Sequence, residues 1–144
     1  MNDPFNLSRF VDAQRPVFSR VMDELRAGRK TSHWVWFVFP QLKGLGVSET
    51  AMRFGITGMG EAQAYLEHPL LGPRLVECVQ VLLKHGDSSA LQILGSPDDL
   101  KLRSCLTLFN EAQPESALYQ RALDRFYCGK PDDRTIQLLR APVE

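Results

Sequence analysis

Between Leu7 and Ala27 the apolar residues Phe10, Val11, Val17, Phe18, Val21, Met22 and Leu25 recur at steps of three and four. That spacing is the helical period. Pro16 interrupts it, because proline lacks an amide proton and clashes with the preceding turn. The expectation is a short helix to about Gln14 and a second from Pro16, closed by Gly28 as C-cap. Ser48 and Glu49 then open a short helix through Phe54, and GEAQAYLEHP reads as another that ends before Pro69. Leu71, Leu75, Val76, Val79, Leu82 and Leu83 predict an amphipathic helix with Gly86 as its stop signal. Asp87 and the Ser88-Ser89 pair can cap the next turn, SSALQILG, which ends at Gly95. Ser96-Pro97-Asp98-Asp99 joins an N-cap, an N1 proline and first-turn acids ahead of LKLRSCLTLF. SALYQRALDRFYCG gathers Leu118, Ala122, Leu123 and Phe126 on one face, and DDRTIQLLRA follows with Asp132 or Asp133 as cap. The predicted fold is all-α: one compact domain over residues 1–144, with roughly seven to eight helices, several of them short.

One stretch departs from this pattern. Thr31 to Gly46, TSHWVWFVFPQLKGLG, holds both tryptophans, a histidine and a glutamine. Its alternation of large residues is that of a strand by propensity. No other segment offers a strand to pair with it, and an isolated strand leaves its amides and carbonyls unsatisfied. A helical turn capped by Thr31 or Ser32 and stopped by Pro40 is therefore expected. It places Trp34, Phe37 and Val38 on one face and His33 and Trp36 on another.

Composition narrows the function. Of 144 residues, 44% are hydrophobic, enough for one core. Seventeen basic residues balance seventeen acidic ones, so no net field favours nucleic acid. No apolar run reaches the ~18 residues of a membrane span, and the N-terminal residues resemble no targeting leader, so a cytoplasmic protein is expected. Cys78, Cys105 and Cys128 sit in apolar contexts without CxxC spacing and read as buried free thiols. His33, His68 and His85 lack ligand spacing, so neither a metal nor a cofactor is expected.

Four blocks carry a family resemblance: RFVDAQ at Arg9 to Gln14, GRKTSHWVWFVFPQLKGLGVS at Gly28 to Ser48, EAQAYLEHPLLGPRL at Glu61 to Leu75, and GSPDDLKLRSCLTLF at Gly95 to Phe109. In register they resemble the DUF1810 family, sometimes mislabelled calpastatin. The resemblance implies a multihelical fold and no established reaction. The family pattern usually has serine and methionine where this chain has Cys105 and Leu106. The tryptophan-rich segment and LLKHGD are also distantly similar to the NADAR (YbiA-like) family, whose members remove ADP-ribose from modified substrates. That likeness implies a nucleotide-like ligand and a glycosidase-type hydrolysis.

The candidate chemistry lies in two of these blocks. Lys101, Ser104 and Cys105 share a helical face, with Thr107 beyond it. A lysine near a serine binds phosphate or activates the hydroxyl, and a histidine changes protonation near neutral pH. His33, Lys101 and Ser104 are thus the catalytic candidates. Trp34 and Trp36 are candidates to sandwich a base, Gln41 to read its edge, and Lys30, Lys101 and Arg103 to hold phosphate, with Ser104 and Thr107 as further ligand contacts. Each has a structural alternative: core packing for the indoles, a turn role for Gln41, solvated charge for the cations, back-bonding for the hydroxyls. The expected ligand pocket lies between SHWVWFVFPQ and the KLRSCLTLF helix. The alternatives are a protein-interaction module and a homodimeric structural domain, so the chain is expected as monomer or homodimer.

Overall fold

A computed structural model describes residues 3–140. Its helices are α1 (Ser8–Gln14), α2 (Phe18–Ala27), α3 (Val35–Val38), α4 (Glu49–Arg53), α5 (Met59–Glu67), α6 (Leu71–Leu83), α7 (Ala90–Leu94), α8 (Asp98–Ala112), α9 (Leu118–Tyr127) and α10 (Asp133–Arg140). A 3-10 turn, Pro114–Ser116, joins α8 to α9. The fold is all-α, as the periodicity predicts. Among the described residues the helix number rises to ten, because four-residue and five-residue helices count separately.

The middle of α8 is apolar on most of its circumference, and Leu102 through Phe109 is buried except at Arg103. A helix of that kind needs neighbours all round. It has them in α5, α9, α7, α10 and α3. A line of rings runs through the core beside it: Phe10 to Tyr65 at 5.2 Å, Tyr65 to Phe109 at 5.3 Å and Phe109 to Tyr119 at 6.1 Å between centroids. α6 covers the other side, packing on α5, α9 and α2.

Polar motif residues brace this core. The Arg9 guanidinium donates to the carbonyls of Phe5, Asn6, Arg53 and Gly55 and pairs with Glu61 at 2.8 Å. Gln14 donates to the Phe37 carbonyl and the Tyr65 hydroxyl and accepts from Arg74. His68 Nδ1 accepts from the amides of Leu70 and Leu71 and so caps α6. At the start of that helix Gly72 lies against the Leu66 carbonyl of α5, where an added Cβ would stand 2.1 Å from the oxygen.

Caps follow the expected pattern at Gly28, Ser48, Ser89 and Asp132, whose Oδ2 accepts from the Thr135 amide. At α8 the arrangement differs: Pro97 itself is the N-cap and Ser96 makes no capping bond, so Asp98 and Asp99 face the helix start without it. The second helix begins at Phe18, two residues after Pro16. The final residue of the last expected helix, Ala141, lies outside the described residues. Cys78 and Cys105 are buried free thiols, whereas Cys128 is exposed, because it ends α9 in a left-handed turn at the surface. Burial pushes the Cys78 thiol up to about 12 and raises Cys105 as well, which leaves both unreactive.

Candidate functional site

The Thr31 to Gly46 segment is helical only over Val35–Val38, and its N-cap is Trp34, not the expected Thr31 or Ser32, which bond to Glu24 instead. What fixes its entry is Glu24, a buried carboxylate on α2. It accepts from the amides of Thr31 and Ser32, the Ser32 hydroxyl and the Trp34 indole, at 2.6–3.1 Å. Burial alone would raise its pKa. The bonds from Ser32, Thr31 and Trp34 outweigh burial and bring it down to about 2. After α3 the chain runs through Pro40, and Leu42 forms an isolated parallel bridge with Ile56, with the Ile56 amide donating to the Gln41 carbonyl. Gln41 is thereby held beside the start of α8.

Gln41, Lys101 and Ser104 line one cleft of about 260 Å³, together with Leu45, Gly46, Pro97, Leu100, Asp132 and Arg134. Three larger clefts occur among the described residues, two of about 510 and 530 Å³ along the N-terminal segment and one of about 380 Å³ lined by Leu83, Arg121, Asp124 and Arg125. The first is mainly apolar, and in the second Arg9 and Glu61 already satisfy each other. The second also gathers cations, an amide and a hydroxyl, but its one carboxylate is taken by Arg9 and Thr57, whereas the small cleft brings Gln41, Lys101, Ser104, Asp132 and Arg134 together from separate elements.

Behind it runs a charged chain. Lys30 Nζ sits 5.4 Å from the Trp34 ring centroid and 2.8 Å from Asp98 Oδ2. Asp98 Oδ1 lies 3.5 Å from Lys101 Nζ, which in turn stands 4.5 Å from the Trp36 ring centroid. Two lysines thus share one carboxylate between two indoles. Lys30 is nearly enclosed, with 7% of its side chain exposed, whereas Lys101 keeps 22%. The outer lysine is the one within reach of a ligand.

Several expected site residues fall elsewhere. Trp34 is 1% exposed and spends its indole proton on Glu24, so it is core and offers no face to a base. Thr107 is buried, donates to the Arg103 carbonyl and accepts from the Asp132 amide, holding α10 to α8. Arg103 donates to the Lys130 carbonyl and stacks over Tyr127, on a face outside the cleft. Lys30 stands behind Asp98 and does not line the cleft. His33 is exposed and does not line it either. Trp36 is half-buried beneath Lys101. Ser104 donates to the Leu100 carbonyl at 3.3 Å, the back-bond of a serine inside a helix. Cys105 is wholly buried, so its position is a packing position.

Asp98, Asp132 and Arg134 were not foreseen in the site. Asp98 had a signal, since a first-turn acid three residues before a lysine pairs with it. For Asp132 and Arg134 only tertiary docking of α10 brings them to α8. Among the described residues no cluster of potential metal ligands occurs.

The sequence pattern described as "Protein of unknown function (DUF1810)" matches residues 4–139. The chain belongs to the DUF1810 family. A solved structure similar to this DUF1810 chain is that of the conserved hypothetical protein Rv1873 from Mycobacterium tuberculosis. It is 52% identical over 97% of this chain and 100% of that one, with a TM-score of 0.95. No curated protein matches. Within the DUF1810 fold the motif blocks divide their work: Arg9, Gln14, Tyr65, His68 and Arg74 brace the core, while Gln41, Lys101 and Ser104 meet at the cleft. No helix among the described residues is long and apolar enough to cross a membrane.

Proposed function

We propose that this DUF1810 chain binds a small, anionic, nucleotide-like ligand in the cleft between the Trp34 to Gly46 segment and α8. The observation that carries it is the meeting of Gln41, Lys101 and Ser104 at one cleft, from blocks some sixty residues apart. An amide, an ammonium group and a hydroxyl there form a small polar set of the kind that orients a ligand. The distant NADAR likeness favours an ADP-ribose derivative. Binding is better supported than hydrolysis, because the Ser104 hydroxyl is spent on the Leu100 carbonyl.

The test is thermal unfolding with ADP-ribose, NAD and mononucleotides. A ligand at a hundredfold excess over Kd stabilises the native state by about 2.7 kcal/mol, a rise of several degrees. That rise is expected in the native chain and absent in Gln41→Ala. No shift with any of these compounds removes the reading. A protein-interaction role has its own support in Val47, 91% exposed beside the cleft loop, and Leu100, 56% exposed at its edge. Gel filtration over a range of concentrations separates a homodimer from a monomer.

A further inference from the structure

We infer that the cleft recognises the phosphorylated-sugar end of its ligand and not a nucleobase. This rests on the ligand-binding reading above and narrows it to a substrate class.

The aromatic evidence comes first. Base stacking needs an open ring face. Trp34 is core, the Trp36 ring has Lys101 Nζ 4.5 Å from its centroid, and no residue lining the cleft is aromatic. A base would have to displace a cation that the ring itself attracts.

The polar groups fit a sugar phosphate. Lys101 from α8 and Arg134 from α10 approach the cleft from two helices and can grip one phosphate between them. Asp98 positions Lys101 without cancelling it, because the carboxylate bonds more closely to Lys30, at 2.8 Å against 3.5 Å. Asp132 spends Oδ2 on the amide and hydroxyl of Thr135, which leaves Oδ1 to accept from sugar hydroxyls. The Gln41 amide both donates and accepts, as a diol requires.

Size points the same way. At about 260 Å³ the cleft lies below the roughly 300–1,000 Å³ of pockets that enclose drug-sized ligands. A pentose phosphate is of that smaller scale, whereas a dinucleotide would leave its base outside. A free pentose phosphate and the terminal ribose phosphate of ADP-ribose share the ribose hydroxyls and a 5-phosphoryl group, the free monoester being the more highly charged.

Calorimetric titration of the full chain with ribose 5-phosphate, ADP-ribose, adenosine and inorganic phosphate tests the inference. Ribose 5-phosphate and ADP-ribose are expected to bind, adenosine not, and inorganic phosphate at least tenfold more weakly than ribose 5-phosphate. Tighter binding of ADP-ribose than of ribose 5-phosphate identifies the nucleotide as the source of the sugar phosphate; equal binding identifies the free sugar phosphate. Lys101→Met is expected to weaken ribose 5-phosphate at least tenfold, with unchanged circular dichroism. Arg134→Gln, at an exposed position, should do the same and serves if Lys101→Met fails to fold. Adenosine binding without ribose 5-phosphate binding overturns the inference and leaves the nucleotide reading standing. Inorganic phosphate binding as tightly as ribose 5-phosphate overturns the sugar half, and undiminished binding by both variants overturns the site. If none of the four binds, the inference and the nucleotide reading fall together.

Discussion

Gly72→Ala lowers the midpoint of thermal unfolding by roughly 10 °C. The added Cβ would lie 2.1 Å from the Leu66 carbonyl oxygen and 2.9 Å from its carbon. Both atoms are backbone, so no side chain can swing aside. The end of α5 and the start of α6 must separate, and they carry Tyr65, Leu71 and Leu75, all at most 1% exposed. Overpacking of a tight core costs about 1–3 kcal/mol, and a backbone clash lies at the upper end or beyond. For a chain of this size each kcal/mol is worth roughly 3 °C. Gly86→Ala is the control: its Cβ would meet nothing within 4 Å, and the change should stay within about 0.5 kcal/mol. A Gly72→Ala protein that melts like the native chain would refute this crossing of α5 and α6.

Glu24→Gln has the second large effect, and its signature is in the pH dependence. The Glu24 carboxylate has a folded pKa of about 2 against an ordinary 4.5. A depressed carboxylate contributes stability that is complete above the unfolded pKa and is lost as pH falls through the folded one. The window therefore runs from about pH 5 down to about 2, and the contribution is on the order of 3 kcal/mol. Glutamine presents one acceptor oxygen and an NH₂ group to four donors. The NH₂ replaces the oxygen that accepts from the Ser32 hydroxyl, which must turn round and accept. The amides of Thr31 and Ser32 and the Trp34 indole are left on a neutral oxygen in place of a charged one, which costs roughly 2–3 kcal/mol at neutral pH. Urea unfolding of both proteins at pH 7 and pH 3 checks this. The native chain should lose much more stability between the two than the variant. Equal losses would mean that Glu24 does not organise the Thr31 to Trp34 entry as a carboxylate.

These two positions also mark what could be read from the chain. The long helices were legible, because α2, α6, α8 and α9 each repeat apolar residues over two or more turns. Of the aromatic segment only the turn Val35–Val38 is the expected helix, and the Leu42 bridge to Ile56 had no signal, because a single bridge leaves no run of alternating residues. Which indole would be core was not legible either: Trp34 and Trp36 are two residues apart, and a four-residue helix is too short to set a phase. Glu24 sits among surface charges on α2 in the sequence, and only the returning Ser32 and Trp34 make it an acceptor for four donors. Half of the candidate site was legible for a similar reason. Lys101 and Ser104 share a helical face by spacing alone, and Gln41 stood out as a polar residue of the aromatic block. Asp132 and Arg134 join through docking of α10, which no local pattern encodes.

That docking makes the cleft a conditional structure. α10 is tied to α8 by the Asp132 amide donating to Thr107 Oγ1 and, just before it, by Arg103 donating to the Lys130 carbonyl, and its buried residue is Thr135. Such an element detaches at a free energy well below that of global unfolding. Each excursion takes Asp132 and Arg134 away and leaves Gln41 and Lys101 facing open solvent. A ligand held by both walls suppresses these excursions, so its occupancy is written first in slower amide hydrogen exchange over residues 133–140, while the protection of α6 and α8 stays as it was.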